Sequence, residues 1–467
     1  MDIFYILIYL VLQVVLAIYL NRYISNNTDF FLAGRNLPTY ALAFSVFATW
    51  FGAETCIGSS GAVFNGGLSA SKAEPIGYGL CLLLSAIIIA PRLYNQKYTT
   101  LGDYYKERYS GLSEKLLVWI MIPSGLIWAA AQVRAFGQVI SLYTDFDISL
   151  AITFATVFVI FYTLLSGMLG DIVTDVIQGG ILAVSLVAVL AYALGELGGL
   201  SEAFSPIPSE RLSFISVDQN IFDRLDSWLI PILGSLCSQE LIQRTLSAKH
   251  KHQAVKAGLS GTALYLVFGS IPIILGLLGS QLGIQVSDAE QFLPAVAKKV
   301  LPGFLYIIFI GALISAILST IDSILLAVSA LVSQNIVIPM AKITEPKQKL
   351  FVARSLLVCG GIVAYVLALF GESVYSMVET ASSFGTAGVL VSFVGGLYWK
   401  KGGNITAILT LVFGMILSFS FHSLIELKSS FSLSILILSI FYFFGSLLEA
   451  KLVQREGESL EISAQKA

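Results

Sequence analysis

Apolar residues run in blocks of about twenty, separated by short polar turns, along the whole chain. A block of that length crosses a roughly 30 Å hydrocarbon core as a helix. Thirteen blocks are legible: the first is "IFYILIYLVLQVVLAIYL", and the others fall near residues 39–62, 75–93, 115–142, 147–167, 172–194, 226–246, 256–280, 300–336, 351–371, 375–399, 403–424 and 429–450. The longest polar connection, "GELGGLSEAFSPIPSERLSFISVDQNIFDR", is too short to fold a catalytic core. The pattern therefore predicts an all-α integral membrane protein of about 13 transmembrane helices.

Composition supports this reading. With 56% hydrophobic and 12% charged residues and a mean hydropathy of +0.84, the chain lies outside the range of soluble domains. The formal charge of −2 gives no footprint for nucleic acid. Cys56, Cys81, Cys237 and Cys359 fall inside apolar blocks without metal-ligand spacing, and His250, His252 and His422 lie at block ends, which speaks against an enzyme. Asp2 precedes the first block in place of a basic region, so that block is expected to be retained as a membrane helix. Arg22 and Arg35, the cluster from Arg92 to Lys115, Arg244 to Lys256, Lys342 to Arg354, and Lys400 with Lys401 share one side. Lys72, Arg211, Arg224, Lys298, Lys299 and Lys428 lie on the other. Because cytoplasmic loops hold the basic excess, the N-terminus is expected outside and the C-terminus in the cytoplasm of a cell membrane.

Polar residues inside the blocks carry the candidate chemistry. Between Val300 and Ala341 the single charge is Asp322, and Ala316, Ser319, Thr320 and Ser323 share one helical face beside it. A carboxylate at membrane depth costs roughly 2.5–3.5 kcal/mol, so it normally marks an ion or solute path. A row of neutral oxygens with little charge suits a monovalent cation such as Na⁺, since calcium wants several carboxylates. Proton coupling through Asp322 and Asp175 is the competing reading. One helix cannot enclose an ion, so carbonyls from an interrupted helix must complete the cage. Two interruptions are available: "FATWFGAETCIGSSG", with Gly52, Gly58 and Gly61, and "IPILGSLCSQELIQR", with Gly234, Ser235 and Ser238. They fall five blocks apart, as two five-helix inverted repeats require. The expected organisation is a leading helix over 1–22, a first repeat over 38–195, an extracellular loop over 196–225, a second repeat over 226–400, two trailing helices over 401–450 and a cytoplasmic tail over 451–467. Glu54, Glu74, Arg134, Asp171 and Asp175 are further charges at membrane depth. Arg134 either pairs with an acid or holds a substrate carboxylate.

Several stretches resemble the sodium:solute symporter family: "DFFLAGRNLP", "SVFATWFGAETCIGSSG", "YTLLSGMLGDIVTDVIQGG", "SQELIQRTLSAK" and "SAILSTIDSILLAVSA". The resemblance implies a leucine-transporter-type core of ten helices in a 5+5 inverted repeat, with one leading and two trailing helices. It further implies Na⁺ as the coupling ion, held at positions that read Ala48, Phe51, Ala316, Ser319 and Thr320. A second Na⁺ would use Asp175, Asp322 and Ser323. "EPIGYGL", "IWAAAQ" and Trp50 are similar to the choline-transporting branch, placing Trp50, Tyr78 and Trp128 in the solute site, although Ser238 stands where that branch has tryptophan. Glu74 matches the sugar-transporting branch, while Thr55 and Ser238 replace its amides. Ser166–Gly167 and Gly170–Asp171 depart from the family signature, and the Asp171 carboxylate has no assigned role. The expected protein is thus a secondary active, Na⁺-coupled symporter taking up a small polar organic solute. Its candidate solute residues are Trp50, Glu54, Thr55, Glu74, Tyr78, Trp128, Ser238 and Gln239. A non-transporting membrane sensor is the rival from another class, and no obligate protein partner is evident.

Overall fold

The computed structural model describes residues 2–466 apart from 145, 216–220, 372, 384, 400 and 424–429, with side chains outside 2–7, 142–143, 422–430 and 455–466. Lys400 and Lys428, the His422 side chain, part of the 196–225 loop and most side chains of the tail lie outside the described residues. All regular structure among those described is helical. Helix α1 is Asp2–Asn21, α2 is Thr39–Trp50, α3 is Glu54–Gly66 and α4 is Ala73–Leu93. Helix α5 is Gly111–Tyr143, α6 is Ile148–Glu196, α7 is Ile221–Leu229, α8 is Gln239–Leu246 and α9 is Lys251–Leu278. Helix α10 is Gly303–Val332, α11 is Pro346–Phe370, α12 is Val374–Ser383, α13 is Thr386–Tyr398, α14 is Asn404–Ser423 and α15 is Ser430–Lys466.

By length and composition, 8 helices among the described residues can cross a membrane, or 10 when two bent pairs each count as one span. The thirteen blocks are recovered once α1, the α7–α8 pair and the two arms of α6 are resolved. Those arms form a hairpin. Gly167 takes a left-handed φ of 51°, and the Tyr162 hydroxyl donates to Thr174 Oγ1 at 3.2 Å. Twelve residues along a straight helix would separate that pair by about 18 Å, so the chain must fold back at the glycine. A Cβ at position 167 would also sit 2.9 Å from Phe30 Cδ2. Gly167→Ala is therefore expected to destabilise the protein by roughly 1–3 kcal/mol, read as a lower melting temperature in detergent; an unchanged melting temperature would refute the strained hairpin.

Both expected interruptions are present. Helix α2 stops where Phe51 leaves helical geometry (φ −89°, ψ 62°), and α3 resumes at Glu54 with the two bent by 56°. Helix α7 runs into a wide turn over Ile230–Gly234, and the chain is non-helical until α8 begins. Gly234 is required there, because a Cβ would lie 2.3 Å from the Ser382 carbonyl oxygen. Helix α10 packs against α6 and α5, and α9 against α2 and α3. Small residues permit the latter approach: Gly261 faces Val46 and Gly276 faces Ser60 and Val63.

Candidate functional site

The hydroxyl face of α10 meets the break in α2. Thr320 and Gly52 are in direct apposition, since a Cβ at Gly52 would lie 2.7 Å from Thr320 Oγ1 and 2.8 Å from Gln132 Oε1. Gln132 Oε1 in turn accepts from the Ala53 amide at 2.9 Å, pinning the first residue beyond the break to α5. Thr320 Oγ1 donates to the Ala316 carbonyl at 3.2 Å, and Ser319 Oγ donates to Asp175 Oδ1 at 2.5 Å. All of Ala48, Phe51, Ala316, Ser319 and Thr320 are buried. The last-turn carbonyls of α2, with Ala48 among them, belong to the set that a helix end leaves without intrahelical amides. The Thr320 hydroxyl thus meets the break in α2, while that of Ser319 is turned to Asp175 on α6.

The residues grouped for a second ion each hold a different hydrogen-bond partner. Asp175 is held by Ser319, whereas Asp322 accepts a hydrogen bond from Thr163 on the first arm of α6, and its Oδ2 has no hydrogen-bond partner among the described residues. Ser323 Oγ lies 3.2 and 3.1 Å from the two carboxylate oxygens of Asp171, beside Arg244.

The candidate solute residues divide between two clefts, and aromatic rings form the wall between them. Trp50 packs against Tyr78 (centroids 5.2 Å apart) and Trp128 (5.3 Å), with Tyr78 and Trp128 6.4 Å apart. Trp128 lines a cleft toward the basic face together with Ser238, Gln239, Glu240, Ser235 and Ser382. Tyr78 lines one toward the opposite face with Glu54, Tyr375, Glu379 and Lys72. A hydroxyl chain links the two: Tyr78 to Ser382 at 3.2 Å and Ser382 to Ser235 at 3.0 Å. Glu74 and Thr55 enter neither cleft; Thr55 Oγ1 donates to Glu74 Oε1 at 2.8 Å, and Tyr265 donates to Glu74 Oε2. Gln239 faces the cleft but spends its carbonyl on the Leu101 amide at 2.9 Å. Glu240, Ser235 and Ser382 were not among the expected solute residues. Glu240 was detectable by the argument that singled out Glu54, an acid within an apolar block.

A clasp ties three elements together at the opposite face. Glu290 accepts from the Val374 amide at 2.8 Å and from Gln138, tying the loop after α9 to α12 and α5. The neighbouring Ala289 carbonyl presses on α3 at Gly61, where a Cβ would stand 2.2 Å from the oxygen. Arg134 donates to the Ala368 carbonyl at 3.3 Å and lines the adjacent cleft with Asp288 and Glu290.

Residues 30–414 match the sodium:solute symporter family. The chain belongs to this family. As a member it is a multi-pass membrane protein, in agreement with its apolar spans. Among its relatives, the human high affinity choline transporter 1 is 26% identical over 362 residues, covering 74% of this chain and 62% of the relative. The Caenorhabditis elegans high-affinity choline transporter 1 is 24% identical, covering 74% and 63%. The chain thus spans about three-fifths of the length of these choline transporters. The osmoregulated proline transporter OpuE of Bacillus subtilis (strain 168) is 24% identical, covering 87% of this chain and 86% of OpuE. In fold, the chain resembles a Na⁺-coupled sialic acid symporter solved in a substrate-bound outward-open state, with a TM-score of 0.83 over 97% of both chains at 18% identity. It also resembles Mhp1, a nucleobase-cation-symport-1 family transporter in a closed conformation, with a TM-score of 0.62 over 91% of this chain and 95% of that one at 13% identity. These likenesses agree with the expected leucine-transporter-type architecture, and the named relatives are transporters, not enzymes.

Proposed function

We propose that this protein is a Na⁺-coupled symporter that takes up a small polar organic solute by alternating access. The observation that carries the reading is the apposition of Thr320, next to Ser319 on α10, to the break in α2. Ala48, Phe51 and Ala316 would supply carbonyl oxygens to the ion and Ser319 and Thr320 their hydroxyls. The basic face would be cytoplasmic, in a cell membrane, and the two repeats would be 38–195 and 226–400. Each Na⁺ moving inward across 100 mV adds about 2.3 kcal/mol of driving force to its concentration gradient. Solute would bind more tightly with sodium in place, and sodium more tightly with solute, by the same factor.

A buried carboxylate, Glu240, and the Trp128 ring line one cleft, a combination that favours a solute carrying an ammonium group. Solute screening in detergent tests this: purified protein is melted in NaCl against equal KCl with choline, betaine, proline and a monocarboxylate added in turn. An ammonium-bearing solute should raise the melting temperature only with Na⁺. Glu240→Gln is expected to weaken that solute roughly 10- to 100-fold, the value of a charge-assisted contact of about 1.5–3 kcal/mol; unaltered affinity would remove Glu240 from the site.

Proton coupling is favoured by the Oδ2 atoms of Asp322 and Asp175, neither of which has a hydrogen-bond partner among the described residues. Equal melting curves in Na⁺ and K⁺, with a shift on lowering pH, would select it.

A further inference from the structure

The Asp171 carboxylate, unaccounted for by the sequence, finds its partner 73 residues along the chain. Its Oδ2 is 2.5 Å from Arg244 Nη2, and both side chains are fully enclosed, at 0% and 1% exposure. Burial of such a pair costs several kcal/mol of desolvation per ion, so a bare stabilising role is a poor explanation for it. Its neighbours suggest another. Arg244 stands one turn beyond Glu240 on α8 and donates to the Glu240 carbonyl at 3.3 Å, so the pair is anchored to the solute-facing end of that helix. On the other side, Arg244 reaches Ser323 Oγ, which donates to the Ser319 carbonyl at 2.8 Å and stands 3.4 Å from Thr49 Oγ1 on α2. Four elements, α2, α6, α8 and α10, therefore meet at one ion pair. Ser323 lies one turn from Ser319 in the direction of the basic face, so the pair floors the hydroxyl face on that side.

We propose that Asp171 and Arg244 form the coupling latch of the transporter, locking the solute wall on α8 to the sodium wall on α10 and closing the route from the Ser319–Thr320 face to the basic side. The proposal rests on the sodium-symport reading. Both are positioning residues that act through Ser323 and through the α8 backbone that carries Glu240. While the latch is shut, α8 cannot leave α10, and an ion on the hydroxyl face has no exit toward the basic side. Separation of the pair would release both walls together, so that ion and solute leave in one event.

The test uses the full chain in proteoliposomes loaded with radiosodium and given no solute. Removing one partner strands a buried charge, whereas replacing both with apolar residues is often tolerated. The informative variant is accordingly Asp171→Val/Arg244→Met. It should melt near the wild-type temperature and retain Na⁺-specific stabilisation, yet release sodium about tenfold faster, the change expected when a two-state gate loses its bias. Asp171→Glu, which keeps the charge, should stay tight. A lowered melting temperature with wild-type sodium retention would mean the pair is structural only and would overturn the proposal. If the double variant fails to fold, Arg244→Lys takes its place: it keeps the charge but loses the planar reach to Ser323. It should leak at an intermediate rate, and wild-type tightness in it would equally refute the latch. The two readings fail separately, because absence of Na⁺-specific stabilisation in the wild-type protein strikes at sodium coupling, whereas a leak unchanged in the variants strikes at the latch alone.

Discussion

Ser319→Ala/Thr320→Ala should abolish sodium-specific stabilisation. A ligand that binds only the folded state contributes RT ln(1 + [L]/Kd), about 2.7 kcal/mol at a hundredfold excess over Kd. The wild-type melting temperature should therefore rise saturably with NaCl when KCl holds the ionic strength constant, and the double variant should show equal curves in both salts. The difference between salts is the proper readout. Ser319→Ala removes the hydroxyl that donates to Asp175, which costs about 1–3 kcal/mol with or without sodium and lowers both curves together. Thr320→Ser keeps the oxygen beside Gly52 and should retain most of the response. A double variant that still responds fully to Na⁺ would move the ion away from this face, with Asp175 and Asp322 the next oxygens to test.

Gly61→Val is expected to do the reverse, keeping sodium stabilisation while stopping turnover. A side chain at this position cannot coexist with the Ala289 carbonyl, whose oxygen would lie 2.2 Å from the new Cβ. Overpacking of this kind typically costs about 1–3 kcal/mol, and here the obstacle is backbone, which cannot rotate aside. On the alternating-access proposal, that penalty falls on the arrangement in which the Glu290 clasp is shut. Between two states of near-equal energy, a bias of this size leaves the shut form a small minority. A cysteine replacing the buried Val139 in the adjacent cleft should then react faster with a membrane-impermeant maleimide in Gly61→Val than in the parent protein. Equal labelling in both, with transport intact, would rule out clasp closure as an obligatory step.

Much of the fold was legible because lipid imposes strict rules. Block length gave the spans, and the glycines and serines at 52, 58, 61, 234, 235 and 238 marked where two of them break. The Ser319–Thr320 face was legible from helical spacing, and Thr320 on that face abuts Gly52 at the α2 break. Other matters depend on neighbours that no local period encodes. Glu54 and Glu74 look alike in sequence, yet one faces a cleft while the other is consumed by Thr55 and Tyr265, a tyrosine 191 residues distant. Asp171 was visible as an anomaly but its partner was not, since nothing in the local pattern ties α6 to α8. Glu240 sits in the stretch "SQELIQR", whose polarity marks the helix break, and only the fold shows that α8 is buried along its whole length with this acid at the Trp128 cleft.

The groups beside the hydroxyl row, Asp175, Gly52 and Gln132, belong to α6, the α2 break and α5, whereas Ser235, Ser238, Glu240 and Ser382 of the Trp128 cleft belong to α8, the turn before it and α12. Such a division separates engine from cargo hold. On the proposed sodium-symport reading, substitutions at Ser238, Glu240 or Ser382 leave the oxygens of Ser319 and Thr320 in place, so a duplicated gene can acquire a new cargo in a few steps while its power source is inherited unchanged. Relatives named for choline and for proline on one shared scaffold are the outcome this arrangement would produce.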